Sequence, residues 1–182
     1  MTDALALSGI RAVKDGFFPA WAGGSQPEAV MGRAAMAYAA LLSGITLAQV
    51  GLGAVHGLAS PLGAFFPIPH GVVCGTLLAA ATEVNIRALR HRQARHPALA
   101  KYAELGVLLS GKQAAAAETA HADLIELLHE WTTRLALPRL REYGVAQKDF
   151  SRIIANCRGN SMKTNPIVLD DEEVRAILAQ RW

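Results

Sequence analysis

From Ala34 to Thr82 the chain carries not one Asp, Glu, Lys or Arg, and this run constrains the fold more than any other feature. A stretch so long and so poor in charge belongs either inside protein or inside lipid. Its composition favours protein. The run is rich in Ala, Gly, Ser and Thr, is interrupted by Gly51-Leu52-Gly53 and by Pro61, Pro67 and Pro69, and has no basic clusters placed to orient a membrane span. We read it as buried helical core, with no membrane partner.

The rest of the composition agrees with a well-buried globular chain: 52% of the 182 residues are apolar and 18% charged, enough for one domain with a sizeable core. The formal charge is +3, and the basic residues are scattered rather than gathered into stripes with aromatics. That pattern leaves no electrostatic footprint for nucleic acid. Cys74 and Cys157 lie far apart, in no paired spacing that suggests a disulfide framework or a Cys-based zinc site. The start, MTDALALSG, has an acid at Asp3 and no basic region before an apolar block, so it does not read as a signal peptide. A cytoplasmic protein is expected.

Helical periodicity dominates, and alternating β-branched runs joined by hairpin turns are missing, so the predicted fold class is all-α, a multi-helix bundle over 1–182. A first helix is predicted from residue 2 to about Gly16, followed by the aromatic loop FFPAWAGG. Ser25 and Glu28 read as the N-cap and N3 of a capping box, with Pro27 in the first turn of a helix to about Val50. A shorter helix carries His56 and stops near Pro61 or Gly63, and another starts at about His70. Further helices are expected over HPALAKYAELGVLL, from about Ala114 to Ala136, over 147–157, and after a cap at Asp170 or Asp171.

His56 and His70 stand in the charge-free run, both beside glycines that let backbone approach closely. His70 follows Pro69 at a predicted helix start, which fixes where its ring projects. Two readings fit these residues alone: neutral core imidazoles with one hydrogen bond each, or two members of an incomplete metal ligand set. His91, His96, His121 and His129 sit among charged or Ala-rich helical residues and read as solvated.

The pattern G-x-G-x-V-H-G-x-A-x-P-L-G-A-x-x-x-x-P-H-G, from Gly51 to Gly71, resembles the signature of the iron-containing (type III) alcohol dehydrogenases, a group similar to glycerol dehydrogenase, maleylacetate reductase and dehydroquinate synthase. TDALAL near the start and the late GNSMKTNP extend the likeness to that family's C-terminal domain. The resemblance implies an all-helical domain that packs on an N-terminal α/β domain binding NAD(P), with the active site between them. His56 and His70 would be two of four ligands to a divalent metal, Fe or Zn. The other two, an Asp and a His four residues apart, should fall before Met1; Asp3 has Leu7, not His, four residues on. No Gly-rich loop follows a predicted strand, so the nucleotide-binding domain is expected to be absent.

Ser60 stands where many relatives carry a further histidine that faces substrate; a serine there can relay a proton through water but is no base near neutral pH. Phe65, Phe66, Ile68 and Cys74 would line the substrate wall, or else pack the core. The resemblance thus implies the metal- and substrate-binding half of an NAD(P)-dependent alcohol dehydrogenase, inactive alone. The alternative is a degenerate, non-catalytic helical domain with a structural or interaction role. Partners expected on this basis are a separate nucleotide-binding half or further copies of the chain.

Overall fold

Two glycines decide how the first helices pair. In the computed structural model, which describes residues 1–182, α1 (Thr2–Ala22) packs along α2 (Pro27–Val50). A Cβ on Gly16 would lie 2.5 Å from the Cβ of Ala35, and one on Gly32 would lie 2.7 Å from the Ala20 nitrogen. Gly16 is therefore a contact residue rather than the predicted helix end. The helix continues through Pro19 and stops at Gly23, whose φ of 73° suits glycine. The predicted Ser25–Glu28 capping box is not formed either. Pro27 takes the first helical position, which makes Gln26 the N-cap and leaves Ser25 outside the helix.

The reading of the whole charge-free run as core also needs correction at α2. Only Ala29, Gly32, Ala39 and Leu42 of this helix are buried, while Met31, Tyr38, Leu41, Ile45, Leu47 and Val50 are exposed. Apolar side chains surround the helix, so the pattern carries no signal for which stripe faces inward. Both α2 and α4 are long and apolar enough to cross a membrane by length and composition. They differ in burial: 17% of the apolar window of α2 is buried against 61% of that of α4.

The contacts fall into two compact units, Met1–Gly51 and Leu52–Trp182, a division the sequence reading does not draw. The second unit contains α3 (Ala54–Phe65), α4 (His70–Arg92), α5 (Pro97–Ser110), α6 (Ala117–Arg134), α7 (Phe150–Asn156), α8 (Asn160–Lys163) and α9 (Asp171–Gln180). There are no strands, as predicted. α4 is the axis: Val73, Leu77, Val84 and Leu89 are fully buried, and Ala79, Ala80 and Ala81 let α3, α5, α6 and α9 close around it. α6 runs over a shorter stretch than the predicted 114–136, and the 3₁₀ turns at Leu140–Tyr143 and Gln147–Asp149 are additions to the predicted set.

His121 corrects the sequence reading again. It is 3% exposed, and its Nε2–H donates to the Leu99 carbonyl at 2.8 Å. Asp170 does cap α9: its Oδ1 accepts from Glu173 N at 2.8 Å, and the Glu173 carboxylate accepts from Asp170 N at 2.8 Å. Asp170→Ala should cost about 1 kcal/mol in urea unfolding. An unchanged midpoint would show that the Arg92–Glu173 ion pair, 2.7 Å long, holds this helix end without the cap.

Candidate metal centre

The fourteen-residue interval between His56 and His70 has a geometric meaning. From His56 to Phe65, α3 carries the chain away by roughly 14 Å at 1.5 Å per residue. The Phe66–Pro69 connection, extended at Phe66 and at Pro69, covers a similar distance back, since extended chain advances roughly 3.3 Å per residue. Pro67 and Pro69 keep it from joining the helices. His70 therefore starts α4 beside His56, with ring centroids 5.3 Å apart. The two imidazoles of the motif do converge.

A third group meets them. Cys74 lies four residues after His70, one turn along the same face of α4. Its Sγ is 3.4 Å from His70 Nε2 and 3.7 Å from His56 Nε2. One ligand atom from each residue lies within 4.8 Å of the others. The sequence reading finds no paired spacing for Cys74, because it compares cysteine with cysteine. The i, i+4 relation to His70 is the signal it passes over.

Partial burial, and secondly the neighbouring His70, hold the His56 ring below the ordinary imidazole range, so it is neutral at neutral pH, the form that ligates. Burial pushes the Cys74 thiol up, so on its own it keeps its proton. With one proton it can donate to only one of the two Nε2 atoms at a time. Two neutral imidazoles and a polarisable sulfur, with His56 and Cys74 half-buried and His70 exposed, form a donor set that suits a divalent transition metal. A dinucleotide finds no such fit: an all-helical chain has no strand to present a phosphate-binding turn.

A cleft opens beside the cluster, walled by His56, Cys74, Leu78 and Leu105 and floored by Asn85 and Asn165. Of the predicted wall residues only Cys74 lines it. Ile68 is 6% exposed and belongs to the core, which removes it from any substrate surface. Phe65 and Phe66 are half-buried against that core, with the Arg152 guanidinium 3.7 Å from the centre of the Phe65 ring. Ser60 is exposed on α3, one turn past His56, and lies outside the cleft lining.

What holds His56 in place comes from far along the chain. The N-cap of α3 is Gly53, which has no side chain to satisfy the first amides. Asn165 supplies the acceptor instead, its Oδ1 taking the Ala54 N–H at 3.0 Å. A Cβ on Gly53 would lie 3.0 Å from that oxygen. Asn165 also exchanges hydrogen bonds with Asn85 of α4 at 3.2 and 2.8 Å, and donates to the Ile167 carbonyl at 2.7 Å. The Thr164 hydroxyl donates to the Leu52 carbonyl. The late GNSMKTNP segment thus pins the start of α3 to α4.

Comparison with known proteins gives a consistent result. The sequence matches the Fe-containing alcohol dehydrogenase family, C-terminal, over residues 1–182. It is 30% identical to alcohol dehydrogenase 4 of Saccharomyces cerevisiae, covering 100% of this chain and 44% of that protein. It is 34% identical to 1,3-propanediol dehydrogenase of Klebsiella pneumoniae, covering 100% and 45%. A crystal structure of 1,3-propanediol oxidoreductase superposes with a TM-score of 0.86 at 28% identity, over 100% of this chain and 45% of the other. The chain spans under half the length of these relatives.

Proposed function

We propose a function from the premise that this chain belongs to the Fe-containing alcohol dehydrogenase family, whose C-terminal part matches residues 1–182: it supplies the metal- and substrate-binding helical half of an NAD(P)-dependent alcohol dehydrogenase. The observation that carries this reading is the meeting of His56 and His70, with His56 lining an apolar cleft. A divalent metal, Fe or Zn, held there by the two imidazoles would supply Lewis-acid polarisation of an alcohol or carbonyl oxygen.

The chain's own residues do the rest on this side. Leu78 and Leu105 give the cleft an apolar wall, and the Asn85–Asn165 pair keeps the start of α3 in register with α4. Substrates are small alcohols and their aldehydes, the class to which the relatives' names belong. NAD(P) and the hydride step belong to a nucleotide-binding half, with which this half works in the cytoplasm. A second copy of the chain is a further partner, covering the apolar residues exposed on α2.

Co-expression tests the proposal. The chain alone, loaded with Fe or Zn, should show no alcohol-dependent NAD(P) reduction. Activity should appear when a nucleotide-binding half from a relative, carrying Asp-x-x-x-His, is produced with it. Failure with a half that does restore activity to the C-terminal part of its own parent would overturn the reading.

A further inference from the structure

The cluster offers more than the two motif histidines. We infer that Cys74 is a third protein ligand of the same cation, so that His56 Nε2, His70 Nε2 and Cys74 Sγ form a His2Cys site selective for zinc-like, thiophilic divalent metals. This rests on the metal-binding reading above and changes its donor set.

The distances carry the argument. In a tetrahedral zinc site, Zn–S of about 2.3 Å and Zn–N of about 2.05 Å place sulfur and nitrogen about 3.6 Å apart along an edge of the tetrahedron. The two sulfur–nitrogen separations here are 3.4 and 3.7 Å. Both imidazoles therefore already stand at ligating separation from one sulfur.

The supporting helices agree. His70 and Cys74 share a face of α4, and His56 comes from the first turn of α3, whose start is pinned by Asn165. Two ligands on one rigid helix and one on a second is an arrangement that holds its geometry before the ion arrives. In this chain taken alone, three protein donors leave a side of the ion open next to the cleft that His56 and Cys74 line, where the Asp-x-x-x-His pair of a nucleotide-binding half would complete the set. As the ion binds, the Sγ–H bond breaks, its proton passes to solvent, and sulfur donates as thiolate. A thiolate favours zinc and cobalt over the harder cations that carboxylate sites prefer.

The experiment is a titration of the metal-stripped full chain with Co2+, followed by displacement with Zn2+. The expected result is one equivalent bound, with the thiolate-to-cobalt charge-transfer absorption in the near ultraviolet. Cys74→Ser should lose that absorption and bind Zn2+ more than about a hundredfold more weakly, beyond what loss of an outer-shell partner costs. His56→Ala and His70→Ala should also lose binding.

If the wild-type chain binds Co2+ without the charge-transfer band and Cys74→Ser holds Zn2+ as tightly, the thiolate inference is wrong while the two-histidine reading stands. If the wild-type chain binds neither metal, the three-ligand site is wrong, while the two-histidine reading, which draws two further ligands from the nucleotide-binding half, is decided by the co-expression test. Should Cys74→Ser fail to fold, alkylation of the wild-type chain decides: Zn2+ must protect half-buried Cys74, with fully buried Cys157 as the internal reference. Unchanged alkylation of Cys74 in saturating Zn2+ overturns the proposal.

Discussion

Asn165→Ala should destabilise the second unit by roughly 3–5 kcal/mol, because it strands several buried partners at once, at about 1–3 kcal/mol for each unpaired group. The Ala54 amide loses its acceptor, the Asn85 side chain loses both bonds it exchanges with Asn165 and keeps only the 3.4 Å bond to the Tyr102 hydroxyl, and the Ile167 carbonyl loses its donor. Asn85 is only 6% exposed, although both carboxamides line the cleft, so water reaches them from that side alone. Against a domain stability of about 5–15 kcal/mol this is a large share. Urea unfolding measures it, and a loss below about 1 kcal/mol would mean that water replaces the carboxamide. Combined with Asn85→Ala, the two losses should be far from additive, since each residue is the other's partner.

Gly106→Ala should also destabilise, in the opposite sense to helix propensity. In an exposed helix this change stabilises by about 1 kcal/mol. Here the new Cβ would lie 2.0 Å from the carbonyl oxygen of Ala120, a backbone atom that cannot swing aside. α5 and α6 would have to separate, and the bond from the buried His121 ring to the Leu99 carbonyl spans the same contact. Overpacking of this kind costs about 1–3 kcal/mol and sometimes more, so the clash outweighs the propensity gain. A raised midpoint in thermal or urea unfolding would show that the two helices do not approach so closely in solution.

These residues also mark where the sequence is legible. Features fixed by neighbours along the chain are readable: the helical class, the start of α4 after Pro69, the cap at Asp170, and the return of His70 to His56, which follows from a helix length and a proline-rich connection. Features fixed by a distant backbone are not. Gly16 looks like a stop signal and is a crossing point against α2, because glycine serves both purposes and only the partner helix distinguishes them. His121 sits in a polar sequence context, yet its ring is buried beside Leu99 on another helix. Ile68 reads as a wall residue from its place in the motif, and the core takes it.

The candidate site divides in the same way. His56 and His70 are singled out by the motif's family resemblance, since the residues alone leave core imidazoles and metal ligands both open, and Cys74 could have been found by extending the i, i+4 rule from carboxylate–histidine pairs to histidine–thiol pairs. Asn165 could not have been found from its own surroundings. Its segment carries the family likeness, but its role depends on an amide whose helix has no cap of its own.

That borrowed cap sets an order of events during synthesis. The acceptor for the Ala54 amide is made 111 residues after the amide itself, an interval of roughly 5–20 s at about 5–20 residues per second. Until then the start of α3 is unsecured, so a nascent chain halted before GNSMKTNP would carry both motif histidines without the hydrogen bond that fixes the start of the helix bearing His56. A cation held by the two imidazoles would meet a secured pocket only once that segment has been made.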